Sequence, residues 1–278
     1  MKKIAIQGIA GSFHDLAARK FFGEQRPELC ACTRFDQIPE RILSGESDYG
    51  IMAIENTLAG AILPNYMLID ENDLTITGEI YIPVRHSLMA LPGQSLDDIT
   101  EVYSHPMALL QCKGFLHDHS RMRRIEYDDT ALAARMIARQ NMQGAAAIAP
   151  QEAAELYGLE VLARNIQDHH TNTTRFVVLS RKNGAPVPPS GKISFKVILK
   201  HQAGSLVEFL QVLKHHGMNM TKIQSVPLFG KPWYYAFFID AQYDSPAQLD
   251  ETLTDMRRES EELKILGIYP EGNKYDLS

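Results

Sequence analysis

Residues Lys182–Gly191 read Lys-Asn-Gly-Ala-Pro-Val-Pro-Pro-Ser-Gly, and this stretch divides the chain. Its prolines and glycines exclude helix and central strand and favour an extended connector. A chain of 278 residues, 45% of them hydrophobic, is long enough to bury two cores. We therefore expect a first domain at residues 1–181, a linker at 182–192 and a second domain at 193–272.

Before the linker, short apolar runs alternate with helical patterns, which is typical of βαβ units and a parallel sheet. The predicted strands are Lys3–Gln7, Tyr49–Ile54, Thr75–Ile82, Val102–Ser104, Ala145–Ala149 and Arg175–Leu179. The predicted helices, which carry apolar residues at three- and four-residue spacing, are Phe13–Phe22, Met107–His117, Thr130–Gln140 and Gln151–Tyr157. Thr130 with Asp128 and Asp129 can supply the N-cap of the third helix, and Gly158 can end the fourth. The first domain is predicted to be α/β.

After the linker, the predicted order is strand, helix, strand, strand, helix, strand, which is the ferredoxin-like βαββαβ plan. The elements are Ile193–Lys200, Ser205–His216, Met218–Pro227, Tyr234–Ala241, Pro246–Leu263 and Lys264–Tyr269. Residues Phe229–Trp233 are predicted to form the hairpin between the middle strands.

Composition excludes several classes of protein. The formal net charge is -6 with acidic and basic residues mixed along the chain, so a nucleic-acid partner is not expected. The apolar run after Lys3 is too short for a secretory signal, and no window approaches the roughly 20 apolar residues of a membrane span. Cys30, Cys32 and Cys112 lack the spacing of a disulfide framework or zinc site. A cytoplasmic protein with reduced thiols is expected.

Three histidine pairs invite a metal interpretation. Adjacent histidines usually diverge, and no nearby Asp, Glu or Cys completes a ligand set in the sequence, so no metal is predicted. The pairs are His117/His119, His169/His170 and His215/His216.

Polar residues follow the first two predicted strands, where ligands of open parallel sheets bind. The loop Gly8–Ser12 could bring backbone N–H groups to an anion, with Ser12 capping the helix or contacting a ligand. A tight turn with a capping serine explains the same residues. Glu55, Asn56 and Thr57 could bind a substrate hydroxyl, order a water or supply an acid, or they could form a capped turn.

Two further segments are polar at predicted strand ends. Ser104, His105 and Gln111 surround the start of a helix, where Pro106 fits the first turn. The run Asn172–Phe176 enters an apolar strand, and its arginine could bind a carboxylate in a bidentate manner. The polar residues of this run are explained equally well as the ordinary start of a strand, with the arginine in a surface ion pair.

Together, in this order, these segments resemble the prephenate dehydratase family over essentially the whole chain. The family's glycine-rich start is matched by Gly8, Gly11 and Ser12, and its Glu-Asn-Ser-x-x-Gly motif by Glu55-Asn56-Thr57 through Gly60. Its Ser-His-Pro-x-x-x-x-Gln-Cys motif is matched by Ser104-His105-Pro106 through Gln111-Cys112, and its Asn-x-Thr-Arg-Phe signature by Asn172–Phe176. Agreement of four ordered motifs by chance is improbable.

The resemblance implies a two-lobed catalytic domain similar to periplasmic binding proteins, with the active site between the lobes. One lobe would hold residues 1–77 and 162–181, and the other residues 78–161. It implies conversion of prephenate to phenylpyruvate in phenylalanine biosynthesis, with no redox cofactor. The second domain resembles the ACT domain, which in this family binds phenylalanine at a dimer interface, so a homodimer or homotetramer is expected.

The same resemblance assigns roles. Arg175 is expected to bind the retained carboxylate, helped by N–H groups near Gly11 and Ser12, while Phe176 makes the surroundings of the leaving carboxylate apolar. Thr174 would donate a proton to the departing hydroxide, or only orient it while Glu55 or a water delivers the proton. The remaining expected site residues are Asn56 as a catalytic group and Thr57, Ser104, His105, Gln111 and Asn172 as substrate contacts.

The expected effector residues are Gly204, Ser205, Leu206, Val207, Gln224, Ser225 and Pro227. Gln224 and Val226 replace the acid and arginine usual in the family, which changes the charge of this region. In the catalytic half, Ile9, His14, Thr57 and Met107 also depart from the usual residues. Thr57 keeps the hydroxyl of the usual serine.

Two alternatives to prephenate dehydratase remain. Arogenate dehydratase uses the same chemistry on an amino acid, and turnover of both substrates separates the two. A non-catalytic small-ligand sensor explains both domains but leaves the combination of Glu55–Thr57 with Thr174 and Arg175 unexplained.

Overall fold

The computed structural model describes residues 2–23, 27–181, 186–228 and 230–273. Its internal contacts define two units of the described residues, one holding those up to Gly60 and Tyr81–Phe176, the other holding Ala61–Ile80 and those from Val177 to Asn273. This division differs from the expected boundary at residues 182–192. Residues 182–185 lie outside the described residues, 186–190 form no helix or strand, and Gly191 and Lys192 already belong to a strand.

The first sheet has the strand order β2-β1-β3-β11-β5, with β4 paired to β3. Its strands are β1 (Lys3–Gln7), β2 (Glu28–Cys32), β3 (Tyr49–Asn56), β4 (Gly60–Ala61), β5 (Thr75–Pro83) and β11 (Thr173–Ser180). The helices between these strands are α1 (Phe13–Phe22), α2 (Gln37–Leu43) and α3 (Leu63–Glu71). Since β1 pairs in parallel with both β2 and β3, the loops after β1 and β3 leave the sheet at the same edge.

The second sheet has the order β10-β6-β9-β7-β8, with β7 parallel to β8 and β9. Its strands are β6 (Ser87–Ala90), β7 (Glu101–Ser104), β8 (Arg123–Glu126), β9 (Ala145–Ala149) and β10 (Glu160–Ala163). Its helices are α4 (Pro106–Gln111), α5 (Lys113–Asp118), α6 (Thr130–Gln140) and α7 (Gln151–Tyr157). Alternate residues of β9 enter two hydrophobic clusters, so this strand is buried on both faces.

The C-terminal sheet has the antiparallel order β13-β14-β12-β15 and confirms the predicted βαββαβ order. Its elements are β12 (Gly191–Ile198), α8 (Ser205–His215), β13 (Asn219–Pro227), β14 (Tyr235–Tyr243), α9 (Pro246–Arg258) and β15 (Glu262–Tyr269). The prediction that α9 continues to Leu263 is wrong because Glu262 and Leu263 pair with β12.

Other predicted bounds also need correction. The helix expected at Met107–His117 is two helices, α4 and α5, which meet at Cys112. Segment Glu160–Ala163 pairs with β6, so the chain returns to the first sheet after Ala163 and not at residue 162. No helix among the described residues is long and apolar enough to cross a membrane.

Within the second unit, α3 and β5 pack against the C-terminal sheet. Lys192 on β12 places its Nζ 2.6 Å from Glu79 Oε1, and both side chains are almost completely buried. Lys196 on the same strand lies 2.9 Å from Asp70 of α3. A Cβ on Gly267 would come within 2.2 Å of the Ile76 carbonyl oxygen, so the close approach of β15 to β5 requires glycine there.

We expect Lys192→Met to lower the free energy of unfolding of the second unit by about 3–5 kcal/mol, because it leaves a buried carboxylate without its lysine. The measurement is the urea unfolding midpoint. Asp36→Asn is the control: it removes an exposed ion pair with Arg34 and should leave the midpoint nearly unchanged. Equal effects of the two substitutions would contradict this account.

Candidate active site

The end of β3 and the start of β11 meet in a group of four side chains, which we call the polar junction: Asn56, Thr57, Asn172 and Thr174. Asn56 Nδ2 donates to Asn172 Oδ1 at 2.8 Å and to Thr174 Oγ1 at 3.0 Å. Asn56 Oδ1 accepts from the N–H groups of Leu58 and Ala59, both at 3.0 Å. One amide therefore fixes both the turn after β3 and the hydroxyl of Thr174.

Thr57 also connects the end of β3 to β11 by hydrogen bonds. Its N–H donates to the Thr173 carbonyl, and its Oγ1 accepts from the Thr173 N–H, each at 3.0 Å. The Thr57 hydroxyl also donates to Asn172 Oδ1 at 3.4 Å. The expected group Asn56, Thr57, Asn172 and Thr174 is therefore brought together, and most of its hydrogen bonds are internal.

One polar atom of the Asn172 side chain takes no part in these hydrogen bonds. Its side chain is buried, and its Nδ2 has no hydrogen-bond partner among the described residues. Burying an amide donor without an acceptor costs roughly 1–3 kcal/mol. A donor kept in this position beside Thr174 is suited to an acceptor atom of a ligand.

Glu55 and Arg175 flank the junction. Arg175 Nη1 lies 3.7 Å from Glu55 Oε2, and the arginine side chain is only 5% exposed while that of Glu55 is 39% exposed. The expectation that Arg175 binds a substrate carboxylate fits this burial poorly. The more accessible charged group of the pair is Glu55.

The glycine-rich loop after β1 forms a capped turn. Gly11 N–H donates to Asp15 Oδ2 at 2.7 Å, Ser12 N–H donates to the Ile9 carbonyl at 3.1 Å, and Ser12 Oγ accepts from Asp15 N–H at 3.3 Å. Both N–H groups are therefore bonded within the loop, and their binding of a carboxylate stays a prediction. Gly11 has a positive φ of 88°, which favours glycine there.

Phe176 is 1% exposed and packs edge-on against the His14 ring, with centroids 4.9 Å apart. Phe176 is therefore part of the core, and its expected role in making the surroundings of the leaving carboxylate apolar stays a prediction. Burial lowers the pKa of His14 from 6.5 to about 3, so this imidazole is neutral at pH 7.

The predicted substrate contacts Ser104, His105 and Gln111 each bond to a different part of the protein. Ser104 is fully buried and donates to the Ile148 carbonyl at 2.6 Å, and its expected contact with substrate stays a prediction. His105 is exposed and caps α4, since its Nδ1 accepts from Met107 N–H at 3.2 Å. Gln111 Oε1 lies 3.0 Å from His86 Nε2.

Sequence reasoning missed the roles of two titratable residues near these loops. The His86 ring is buried, which lowers its pKa to about 4, and the backbone N–H of His86 donates to Gln167 Oε1 at 2.9 Å. Asp129, predicted only as a cap, accepts from Leu132 N–H, and its Oδ2 lies 3.2 Å from where a Cβ on Gly8 would stand. Burial raises the Asp129 pKa. An isolated histidine or aspartate carries no sequence signal of such contacts.

The expected effector residues are only partly gathered around a cavity. Ser205 and Leu206 help to line a cavity of about 140 Å³, together with Tyr234 and Phe237. Val207 is 60% exposed, and Gly204 precedes α8 in a left-handed conformation. Gln224, Ser225 and Pro227 lie on β13, the last two opposite Phe237 and Tyr235.

Among the described residues, no three His, Cys, Asp or Glu side chains cluster closely enough to hold a metal ion.

The fold and the site together define an α/β protein with a hydrogen-bonded threonine and amide group where strands β3 and β11 meet. The sequence profile of prephenate dehydratase matches residues 4–184, and the chain belongs to that family. A bifunctional chorismate mutase/prephenate dehydratase of Enterobacter agglomerans is 35% identical, with 98% of this chain and 71% of the relative covered. An Arabidopsis thaliana arogenate dehydratase/prephenate dehydratase is also 35% identical, over 96% of this chain and 72% of the relative.

Two solved structures are similar over nearly the whole chain. A prephenate dehydratase of Arthrobacter aurescens in complex with L-Phe has a TM-score of 0.84 and 28% identity, covering 96% of this chain and 89% of that chain. GqqA, described as a novel type of quorum-quenching acylase, has a TM-score of 0.87 and 33% identity, covering 99% of both chains. Similarity therefore extends to relatives with different named activities.

We expect acid to destabilise the fold through His14. The unfolded imidazole binds a proton below pH 6.5, but the buried one does so only below about pH 3, so stability falls as pH drops between these values. His14→Phe keeps the ring contact with Phe176 and removes the titration, so its melting temperature should fall less steeply from pH 6.5 to 4. Substitution of the exposed His117 by Phe is the control, and identical slopes in all three proteins would refute the assignment.

Proposed function

We propose that the chain catalyses the decarboxylating dehydration of prephenate to phenylpyruvate. The bond between the ring and its carboxylate breaks, the electron pair enters the ring, and the hydroxyl on the opposite ring carbon leaves. One proton joins that hydroxide, so the products are phenylpyruvate, carbon dioxide and water. Aromatisation supplies the driving force, and no electrons are exchanged with a cofactor.

The hydrogen bond from Asn56 Nδ2 to Thr174 Oγ1 is the observation that carries this proposal. Because the threonine oxygen accepts from the amide, its own proton is available to another acceptor. A hydroxyl arranged in this way can donate to a departing hydroxide. Positioned proton donors are typically worth about 10²–10⁴ in rate.

Thr174 is a weak acid, so a stronger group must supply the proton. Glu55 is partly exposed and adjoins Arg175, and we assign proton delivery to Glu55 or to a water that it orders. Arg175 then acts chiefly by holding Glu55 in place. Asn172 Nδ2 is the proposed donor to an oxygen of the substrate.

The polar junction favours this chemistry over acyl transfer, the activity named for GqqA. A hydroxyl nucleophile is activated when it donates its proton to an adjacent base. Thr174 Oγ1 instead accepts a hydrogen bond from the Asn56 amide, which withdraws electron density from the oxygen. An acylase assay is therefore a useful negative comparison.

The expected two-lobed arrangement is supported by the two sheets of the catalytic part, between which the chain crosses after β5 and again before β11. The C-terminal βαββαβ region is proposed to be a regulatory ACT domain. Its edge strand β13 could pair with a second chain, which supports a homodimer or homotetramer. Phenylalanine, the ligand of the Arthrobacter structure, is the first effector to test.

Incubation of the purified chain with prephenate should release a 2-oxo acid with the ultraviolet absorbance of phenylpyruvate. Arogenate is tested in parallel, because its ring chemistry is the same and its product is phenylalanine. Turnover of arogenate alone would identify the alternative enzyme. Absence of turnover with both substrates would reject the proposed reaction.

Replacement of Thr174 by Val should lower kcat by about 10²–10⁴ with little change in KM, because it removes the hydroxyl and preserves the shape. Thr174→Ser should keep most of the activity. The matched control is Thr171→Val, at an exposed threonine three positions earlier, which should behave like the unsubstituted protein. A near-normal kcat for Thr174→Val would exclude the assigned role.

A further inference from the structure

A cavity of about 340 Å³ lies within the first unit and is lined by segments that belong to both of its sheets. Phe13, Leu16 and Lys20 stand three and four positions apart, so they share one face of α1. Alternate residues from Pro83 to Ser87, the first two residues of α7 and the two residues after β10 complete the lining. The volume falls within the roughly 300–1,000 Å³ that is usual for small-molecule sites.

Positive charge predominates in this cavity. Lys20, Arg85 and Arg164 come from three separate segments, and Glu152 is the one acidic residue among the described residues of the lining. Three positive charges against one negative charge leave a net charge of +2. Lys20 forms no ion pair with a described residue, and Arg164 Nη1 donates to the neutral side-chain oxygen of Gln151. The lining is therefore suited to an anion with more than one negative charge.

Two other features of the cavity also point to a ligand. Ser87 is only 4% exposed, yet its hydroxyl makes no hydrogen bond to another residue that the structure describes. A hydroxyl that lines a cavity in this state can donate to an atom of a bound molecule. Asn165 has a left-handed backbone with a φ of 53°, and its side chain and that of Arg164 both line the cavity. Such conformations are uncommon outside glycine and cluster at functional sites.

A phosphate monoester matches this lining better than a carboxylate does. Its phosphoryl group carries close to two negative charges near pH 7 and offers three acceptor oxygens on one atom. These oxygens can meet Lys20, Arg85 and Arg164, and the charge balances that of the lining. Phe13 and Leu16 add apolar surface, which a short carbon chain would cover and inorganic phosphate would leave in water.

We propose that this cavity binds a small phosphate monoester with a short apolar chain. None of the described residues that line it belongs to the polar junction, so the cavity is separate from the candidate active site. Binding there does not depend on the proposed reaction. Because the lining joins segments of both sheets, an occupant would contact both of them.

Calorimetric titration of the full-length protein tests the proposal with n-butyl phosphate, inorganic phosphate and pentanoate. Inorganic phosphate lacks the apolar chain, and pentanoate keeps a similar chain but carries a singly charged carboxylate. Butyl phosphate should bind most tightly. Each of the other two probes should bind at least about fivefold more weakly, as the loss of one partly exposed contact would give.

Substitutions at two exposed cations locate the site. Lys20→Gln and Arg164→Gln should each weaken butyl phosphate by about two- to fivefold, because each removes one charge from the lining. Lys113→Gln is the matched control, at an exposed lysine of α5 outside the cavity, and should leave the affinity unchanged. Without ligand, all three variants should melt at the temperature of the unsubstituted protein.

Pentanoate binding as tight as that of butyl phosphate would overturn the inference. Equal weakening in Lys113→Gln would do so as well, because it would show a diffuse attraction of anions to the protein surface. Unchanged affinity in both Lys20→Gln and Arg164→Gln would place the ligand elsewhere. Absence of a heat of binding with both phosphates at millimolar concentration would also reject the site.

Discussion

The amide of Asn56 is the interaction on which the candidate active site depends. It joins the end of β3 to the start of β11 across 118 positions of sequence and also holds the turn formed by Leu58 and Ala59. An amide suits this role because it offers two donor hydrogens and an acceptor oxygen in one plane. Aspartate would keep the turn but could not donate to Thr174.

A second constraint is the burial of Lys192 against Glu79, which ties the C-terminal sheet to β5. Together with Lys196 and Asp70, it groups Ala61–Ile80 with the C-terminal region. The segment that begins at Ala61 follows the Asn56 turn directly in the chain. A change in the C-terminal sheet therefore has a short covalent path to the polar junction.

Much of the fold could be predicted because its elements carry local signals. The bounds of α1 and α6 follow from caps at Ser12 and Asp129, and β9 is an uninterrupted apolar run. The short strands β2 and β10 lack such signals and depend on pairing with distant strands. In the site, the order of the motifs indicated Asn56 and Thr174. Their spacing could not show that the Gly11 N–H donates to Asp15 or that the His14 ring packs against Phe176.

The most direct test of the central claim is a double-mutant cycle of Asn56→Ala and Thr174→Val, with kcat for prephenate as the readout. If Asn56 acts by positioning the Thr174 hydroxyl, Asn56→Ala should slow the unsubstituted enzyme strongly. It should then slow the Thr174→Val enzyme much less, because residues that act as a unit are not additive. Equal factors in the two backgrounds would contradict the account.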